Sequence, residues 1–160
     1  MMARRTHMRH FLAAALLVLA VPSLAAGGKA WNTDFRKAVA RATRLHRPLL
    51  LVFTGSDWCD RCRELKSEVL DTPEFNAWAR KTVVLMEADF PRSVRQKASL
   101  RKQNKALADR FKEFVRWGYP TVLLLDFTGR RVLGEIGYRE GGPGPWLEEA
   151  NRIVNTGTAE

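Results

Sequence analysis

The stretch Leu49-Leu-Leu-Val-Phe-Thr-Gly-Ser-Asp-Trp-Cys-Asp-Arg-Cys62 contains the clearest structural and chemical signal of this chain. Its first five residues are all apolar, which is typical of a central strand that is buried on both faces of a sheet. A polar loop with one glycine follows, and two cysteines then stand three positions apart. We expect a strand, a loop and a helix, with Cys59 and Cys62 held together where the helix begins.

The segments around this stretch alternate between helical and extended patterns. A first helix, capped by Asn32 or Thr33, is predicted to end before Pro48. Further strands are predicted at 83–86, 121–125 and 131–136, the last two joined by a short turn. A second helix is predicted from the cysteine pair to about Leu70, and a short third helix begins at Pro73. A fourth helix has Leu100, Leu107, Phe111 and Phe114 on its apolar side, and a last helix follows Pro145.

This order of elements defines the fold class. Strand–helix–strand units favour parallel pairing, and the short final turn favours an antiparallel hairpin. We therefore predict an α/β fold with a mixed central sheet and helices on both faces. The 160 residues are enough for one ordinary domain.

The first 26 residues have the composition of a secretory signal peptide. Three arginines precede an apolar run at 11–21, and Pro22 and small residues follow it. We predict cleavage after Ala25 or Ala26, a domain at 27–160 and an exported, periplasmic location. An uncleaved membrane anchor is the alternative, although the run is shorter than the roughly 20 residues that a span needs.

The positive charge of the chain is concentrated in one segment. Residues 91–112 contain eight Lys or Arg and a single acid, Asp109. Such a segment is either a solvated helix face, which we favour, or a docking face for an acidic partner or an anionic membrane. Nucleic-acid binding is not expected, because no aromatic stacking pattern accompanies the charge.

The two cysteines are predicted to be redox-active. A disulfide that closes so short a loop removes little entropy from the unfolded chain, so it would be a poor structural staple. Thiol–disulfide exchange needs an attacking thiolate and a resolving thiol. At an exposed helix start the N–H groups favour a thiolate, so Cys59 is the predicted nucleophile and Cys62 the resolving cysteine. Asp60 disfavours this thiolate and Arg61 favours it.

Two other interpretations of the pair are weaker. A structural zinc site needs two more ligands, but the chain has no third cysteine, and His46 is the one histidine beyond the predicted signal peptide. We therefore expect no metal. An inert disulfide is also disfavoured, because exposed pairs at helix starts are the labile kind.

Three motifs together resemble the thioredoxin superfamily, and in particular its exported bacterial branch, similar to the C-terminal domain of the thiol:disulfide interchange protein family. They are Thr54-Gly-Ser-Asp-Trp-Cys59, Asp71-Thr-Pro-Glu-Phe75 and Gly118-Tyr-Pro-Thr-Val-Leu-Leu-Leu-Asp126. The likeness extends from Trp31 to about Val154. It implies a thioredoxin-like fold and a thiol–disulfide oxidoreductase.

The resemblance also implies a substrate-binding surface. Tyr119-Pro120 would be a cis peptide facing the cysteines, with its backbone as an edge for a substrate segment. Trp58 would belong to the same surface, whereas Trp117 is expected to pack at a helix end. The substrates would be thiols and disulfides of proteins, with no cofactor. A monomer that exchanges electrons with a membrane protein is expected, with a preference for reduction.

Two departures from the family limit what it implies. Thioredoxins carry a buried acid on the central strand, but Leu51-Val52-Phe53 contains none. Either water or another group, such as Asp57 or Glu87, takes the proton, or the reaction is less assisted. Asp60-Arg61 replaces the usual Gly-Pro, so the direction of electron flow is open. The alternative function is a binding or assembly module that uses the basic face and needs no redox turnover.

Overall fold

The chain is built around one four-stranded sheet. The computed structural model describes residues 31–157, which form four strands and six α-helices. The strands are β1 (Leu49–Thr54), β2 (Val84–Asp89), β3 (Thr121–Leu125) and β4 (Val132–Ile136). The helices are α1 (Phe35–Leu45), α2 (Asp60–Leu65), α3 (Pro73–Thr82), α4 (Ala98–Arg110), α5 (Lys112–Val115) and α6 (Pro143–Gly157). The predicted signal peptide, residues 1–26, lies outside the described residues.

The sheet is mixed, as predicted, and its strand order is β2–β1–β3–β4. β1 and β2 are parallel, whereas β3 is antiparallel to both β1 and β4. Only the first strand–helix–strand unit therefore gives a parallel pair, because a continuous apolar run does not encode the direction of its strand. The pairing of Phe53 with Thr121 brings the residues before β3 next to those that follow β1.

Both faces of the sheet are covered by helices. Along β1, Leu50 and Val52 pack with α2, α3 and α6, while Leu49, Leu51 and Phe53 pack with α1, α4 and α5. All five side chains are at most 3% exposed. This alternation confirms the predicted central strand and fixes which residues reach each helical layer.

Two helices begin differently from the prediction. Asp34, rather than Asn32 or Thr33, caps α1: its carboxylate accepts the N–H of Lys37 at 3.1 Å. Asn32 is used elsewhere, because its side-chain amide donates to the carbonyl of Leu85 in β2 at 2.8 Å. The single helix expected up to Phe114 is two, α4 and α5, which are separated at Phe111.

The helix after the cysteines is continuous but changes its winding. α2 passes directly into a π-helical turn, Lys66–Leu70, and α3 then begins at Pro73, as predicted. Thr72 joins the two, since its hydroxyl donates to the carbonyl of Val69 at 2.6 Å and accepts the N–H of Phe75. Within residues 31–157, no helix has the length and apolar character needed to cross a membrane.

Candidate redox site

Cys59 and Cys62 form a disulfide at the start of α2. Their Cα atoms are 5.2 Å apart. Cys59 is the N-cap residue, and its Sγ accepts the N–H of Cys62 at 3.2 Å. The carbonyl of Gly55 accepts the N–H groups of Trp58 and Cys59, at 3.2 and 2.9 Å, and so holds the turn that leads into the helix. The sulfurs therefore occupy the positions that the spacing predicts.

The pair is less exposed than expected. Cys59 is 7% exposed and Cys62 is 4% exposed. Cys59 is covered because its Sγ lies 3.6 Å from the carbonyl oxygen of Tyr119, in the loop before β3. This contact joins segments sixty residues apart, so the local motif could not reveal it.

The Tyr119–Pro120 peptide bond is cis and lies beside Cys59. The loop turns at Gly118, whose φ of 104° suits glycine and few other residues. The hydroxyl of Thr121 donates to the carbonyl of Gly118 at 2.8 Å and closes the turn. The antiparallel pairing of β1 and β3 thus brings Tyr119 and Pro120 to the cysteine pair.

Trp58 forms the other border of the site. Its indole N–H donates to the carbonyl of Phe90 at 2.8 Å, and its ring lies 5.9 Å from the ring of Tyr119. The guanidinium of Arg92 lies over the indole, 3.8 Å from the ring centroid. Trp117 is 82% exposed, so the expectation that it packs at a helix end is wrong. The guanidinium of Arg116 lies 4.9 Å from its ring.

The charged residues between the cysteines are both paired with neighbours on the helix. Asp60 forms an ion pair with Arg63, and Arg61 forms one with Glu64 at 3.0 Å. These pairs are exposed to solvent and contribute little to stability. Each of the two charges thus has a partner of opposite sign on the exposed side of α2.

The pKa values of two carboxylates, Asp57 and Glu87, are shifted in opposite directions. Backbone N–H groups of Arg92, at 3.0 Å, and Ser93, at 2.6 Å, donate to Asp57 and lower its pKa below 3.8. Burial raises the pKa of Glu87 above 4.5, and the charge of Asp89 adds to this effect. Glu87 stands two residues after Leu85 and so points to the face of the sheet that α2 covers. Of the two, Glu87 is the better proton acceptor.

A groove of about 400 Å³ extends from Pro120 along the first turn of α2. It is lined by Arg61, Tyr119, Pro120, Tyr138 and Glu140. The guanidinium of Arg61 lies 5.2 Å from the ring centroid of Tyr138. The hydroxyl of Tyr138 donates to Glu68 at 2.8 Å, and this hydrogen bond raises the pKa of Tyr138 to about 12.

Sequence reasoning did not place Tyr138 at this site, and it noted Arg92 only as part of the basic segment 91–112. Each comes from a segment far from the cysteines in the sequence, so its contact with the site is decided by the fold. Among residues 31–157, no three His, Cys, Asp or Glu side chains are grouped so that they could hold a metal ion.

A disulfide at a helix start, next to a cis proline that immediately precedes a neighbouring strand of a mixed sheet, defines the class of thioredoxin-fold thiol–disulfide oxidoreductases. Comparison with known families agrees: the model described as thioredoxin-like matches residues 30–126, and the chain belongs to that family. It is a thiol–disulfide oxidoreductase.

Two curated relatives come from Chlamydia pneumoniae. The chain is 29% identical to the disulfide bond reductase DsbH over 131 residues, which are 82% of this chain and 76% of the relative. It is 31% identical to the thioredoxin-related protein DsbJ over 138 residues, 81% of this chain. The chain spans only 39% of the length of DsbJ.

Solved structures support the same fold. A DsbH oxidoreductase structure superimposes with a TM-score of 0.74 at 25% identity, covering 89% of this chain and 95% of that one. A thioredoxin from Thermus thermophilus gives a TM-score of 0.58 at 17% identity, covering 79% and 88%, and shows likeness of fold alone.

Proposed function

We propose that this protein is exported and reduces disulfide bonds of other proteins, with Cys59 as nucleophile and Cys62 as resolving cysteine. The observation that carries the proposal is the position of Cys59. Its Sγ accepts a backbone N–H at 3.2 Å and lies 3.6 Å from the carbonyl that precedes Pro120. It therefore combines stabilisation of a thiolate with an adjacent backbone edge for a substrate.

The first step begins from the dithiol form. The Cys59 thiolate attacks one sulfur of the substrate disulfide, a mixed disulfide forms, and the second substrate sulfur leaves as a thiolate. The N–H of Cys62 supports the attacking state, because a hydrogen bond to the thiolate favours the charged form.

The second step regenerates the disulfide of the protein. The Cys62 thiolate attacks Sγ of Cys59, the mixed disulfide breaks, and the remaining substrate sulfur leaves as a thiolate. The substrate has then gained two electrons, and a dithiol electron donor must reduce the Cys59–Cys62 bond again. Glu87 is the side chain that we assign to accept the proton of Cys62, because it lies on the face of the sheet that α2 covers and burial raises its pKa.

Trp58, Tyr119 and Pro120 form the proposed substrate-binding surface. The backbone at Tyr119 lies beside Cys59, so an extended substrate segment can pair with it while its disulfide meets the sulfur. The indole of Trp58 is fixed by Phe90 and Tyr119 and would exclude water from one side of the reacting sulfurs.

The preference for reduction rests on the relatives. DsbH is named a disulfide bond reductase, and the chain covers 76% of it. Export rests on the composition of residues 1–26. An exported reductase needs electrons from outside its own compartment, so we assign a membrane dithiol protein as the electron donor. We expect the protein to act as a monomer.

The test combines a potential with two variants. Equilibration in thiol/disulfide buffers should give a reduction potential near the roughly −270 mV of thioredoxin, and a value near −120 mV would indicate a disulfide donor instead. Cys59→Ser should abolish turnover, whereas Cys62→Ser should trap mixed disulfides with the substrate. Equal activity of the two variants would contradict the assigned roles.

A further inference from the structure

A second cavity, separate from the groove at Pro120, adjoins the redox site on the side of Trp58. It has a volume of about 420 Å³, and three arginines line it: Arg92, Arg95 and Arg101. We call it the arginine cavity. Trp58 connects it to the cysteines, because the indole N–H donates to Phe90 in the cavity wall and the indole ring lies under Arg92.

No carboxylate lines the arginine cavity, and the acids near it are already engaged. Both oxygens of Asp57 accept backbone N–H groups of the cavity loop, and Asp89 accepts the N–H and the hydroxyl of Ser56. Within residues 31–157, none of the three arginines forms an ion pair. The arginine cavity therefore has three cations and no carboxylate in its lining, and none of the three cations has an ion-pair partner among residues 31–157.

The positive charge of Arg101 lies at the end of a helix where negative charge is favoured. It lies in the first turn of α4, a turn that contains no acidic residue. The helix dipole disfavours cations at this end, so the charge of this arginine does not stabilise α4. An external anion bound in the cavity would interact favourably both with Arg101 and with this end of the helix dipole.

The cavity also has an apolar part. Val94 is 65% exposed, and Phe90 and Pro91 complete the wall next to Trp58. Guanidinium groups beside apolar side chains suit a polypeptide with acidic residues better than an inorganic anion. A substrate segment that reacts at Cys59 and continues past Trp58 arrives directly at this wall.

We propose that the arginine cavity binds an acidic segment of the protein whose disulfide reacts at Cys59. The inference rests on the proposed function and specifies its substrate class: disulfides flanked by Asp or Glu. Electrostatic attraction would act mainly on the rate of encounter, because exposed charges steer association more than they hold the complex together.

The experiment compares two peptide disulfides that differ only in their flanks, one with Asp and Glu and the other with Asn and Gln. We measure the second-order rate constant of their reduction by the purified protein in its dithiol form. We expect the acidic peptide to react about tenfold faster at low salt. The preference should fall towards equality at about 0.5 M salt, where charges are screened within a few ångströms.

The decisive variant is Arg95→Gln/Arg101→Gln, which leaves Trp58 and Arg92 intact. It should lose the preference for the acidic peptide and keep the rate on the neutral one. The matched control is Arg41→Gln/Arg44→Gln, which removes the same charge from α1. That end of α1 contacts Phe127 beyond β3, away from Pro120, so the control should keep the preference.

The outcomes separate the two proposals. If neither peptide is reduced, the proposed function fails. If both are reduced equally at low salt, or the double variant keeps the preference, only the arginine cavity is refuted as a substrate site. Sedimentation with vesicles of about one-third anionic lipid tests a membrane role. Binding that requires Arg95 and Arg101, without a peptide preference, would assign the cavity to a membrane instead.

Discussion

Replacing Gly55 with alanine should displace Trp58 and so separate the indole from the redox site. A Cβ at position 55 would overlap the indole ring. The backbone at Gly55 does not have a positive φ, so alanine itself fits the local conformation. The cost of the substitution therefore comes from the contacts that the displaced indole loses.

Those contacts set the magnitude. The hydrogen bond from Trp58 to Phe90 contributes about 1 kcal/mol. The cation–π contact with Arg92 contributes about 0.5–1 kcal/mol. The ring contact with Tyr119 contributes about 0.5 kcal/mol. We expect the free energy of unfolding of Gly55→Ala to fall by about 2 kcal/mol, which moves the urea midpoint by about 1 M.

A double-mutant cycle measured by urea unfolding tests this reasoning. In the background Trp58→Ala the ring is absent, so Gly55→Ala should be neutral or stabilise by about 0.4–1 kcal/mol. The expected coupling energy between the two positions is thus about 2–3 kcal/mol. If Gly55→Ala destabilises both backgrounds equally, the clash with Trp58 is not the cause and the argument is refuted.

Three further predictions concern stability. Trp146 is fully buried and packs edge-on against Phe75 and Trp78. Trp146→Ala should lower the free energy of unfolding, measured in urea, by about 3–5 kcal/mol. A loss below about 1 kcal/mol would contradict its place in the core. Burial raises the pKa of Glu87, so the folded state loses stability as the pH rises above 4.5 and this carboxyl ionises. The free energy of unfolding of Glu87→Gln should therefore exceed that of the parent at pH 7 but not at pH 4. A gain that does not depend on pH would exclude ionisation as the cause. Burial raises the pKa of Asp126, but hydrogen bonds from the turn that it closes outweigh this effect and lower the pKa below 3.8. Asp126→Asn should therefore be destabilising at pH 7, and the difference from the parent should disappear as the pH falls below 3.8. Thermal unfolding measured across this pH range tests the prediction, and a difference that stays constant would refute it.

The sequence determined the parts of this protein that depend on neighbouring residues. The apolar run of β1 indicated burial on both faces, and the spacing of Cys59 and Cys62 predicted a disulfide where α2 begins. Thr72 and Pro73 marked the start of α3. Such features are local, because a strand, a cap or a short loop is formed by residues that adjoin each other in the chain.

The arrangement of distant segments required the tertiary structure. The antiparallel direction of β3 brings Tyr119 beside Cys59, and it accounts for the low exposure of that sulfur. The same holds for Arg92, whose guanidinium covers Trp58, and for Tyr138, which lines the groove at Pro120. Hydrophobic periodicity reports which side of an element is buried, but it carries no information on strand order or direction. The redox pair is thus determined by the sequence, while the surface around it is determined by the packing of the sheet.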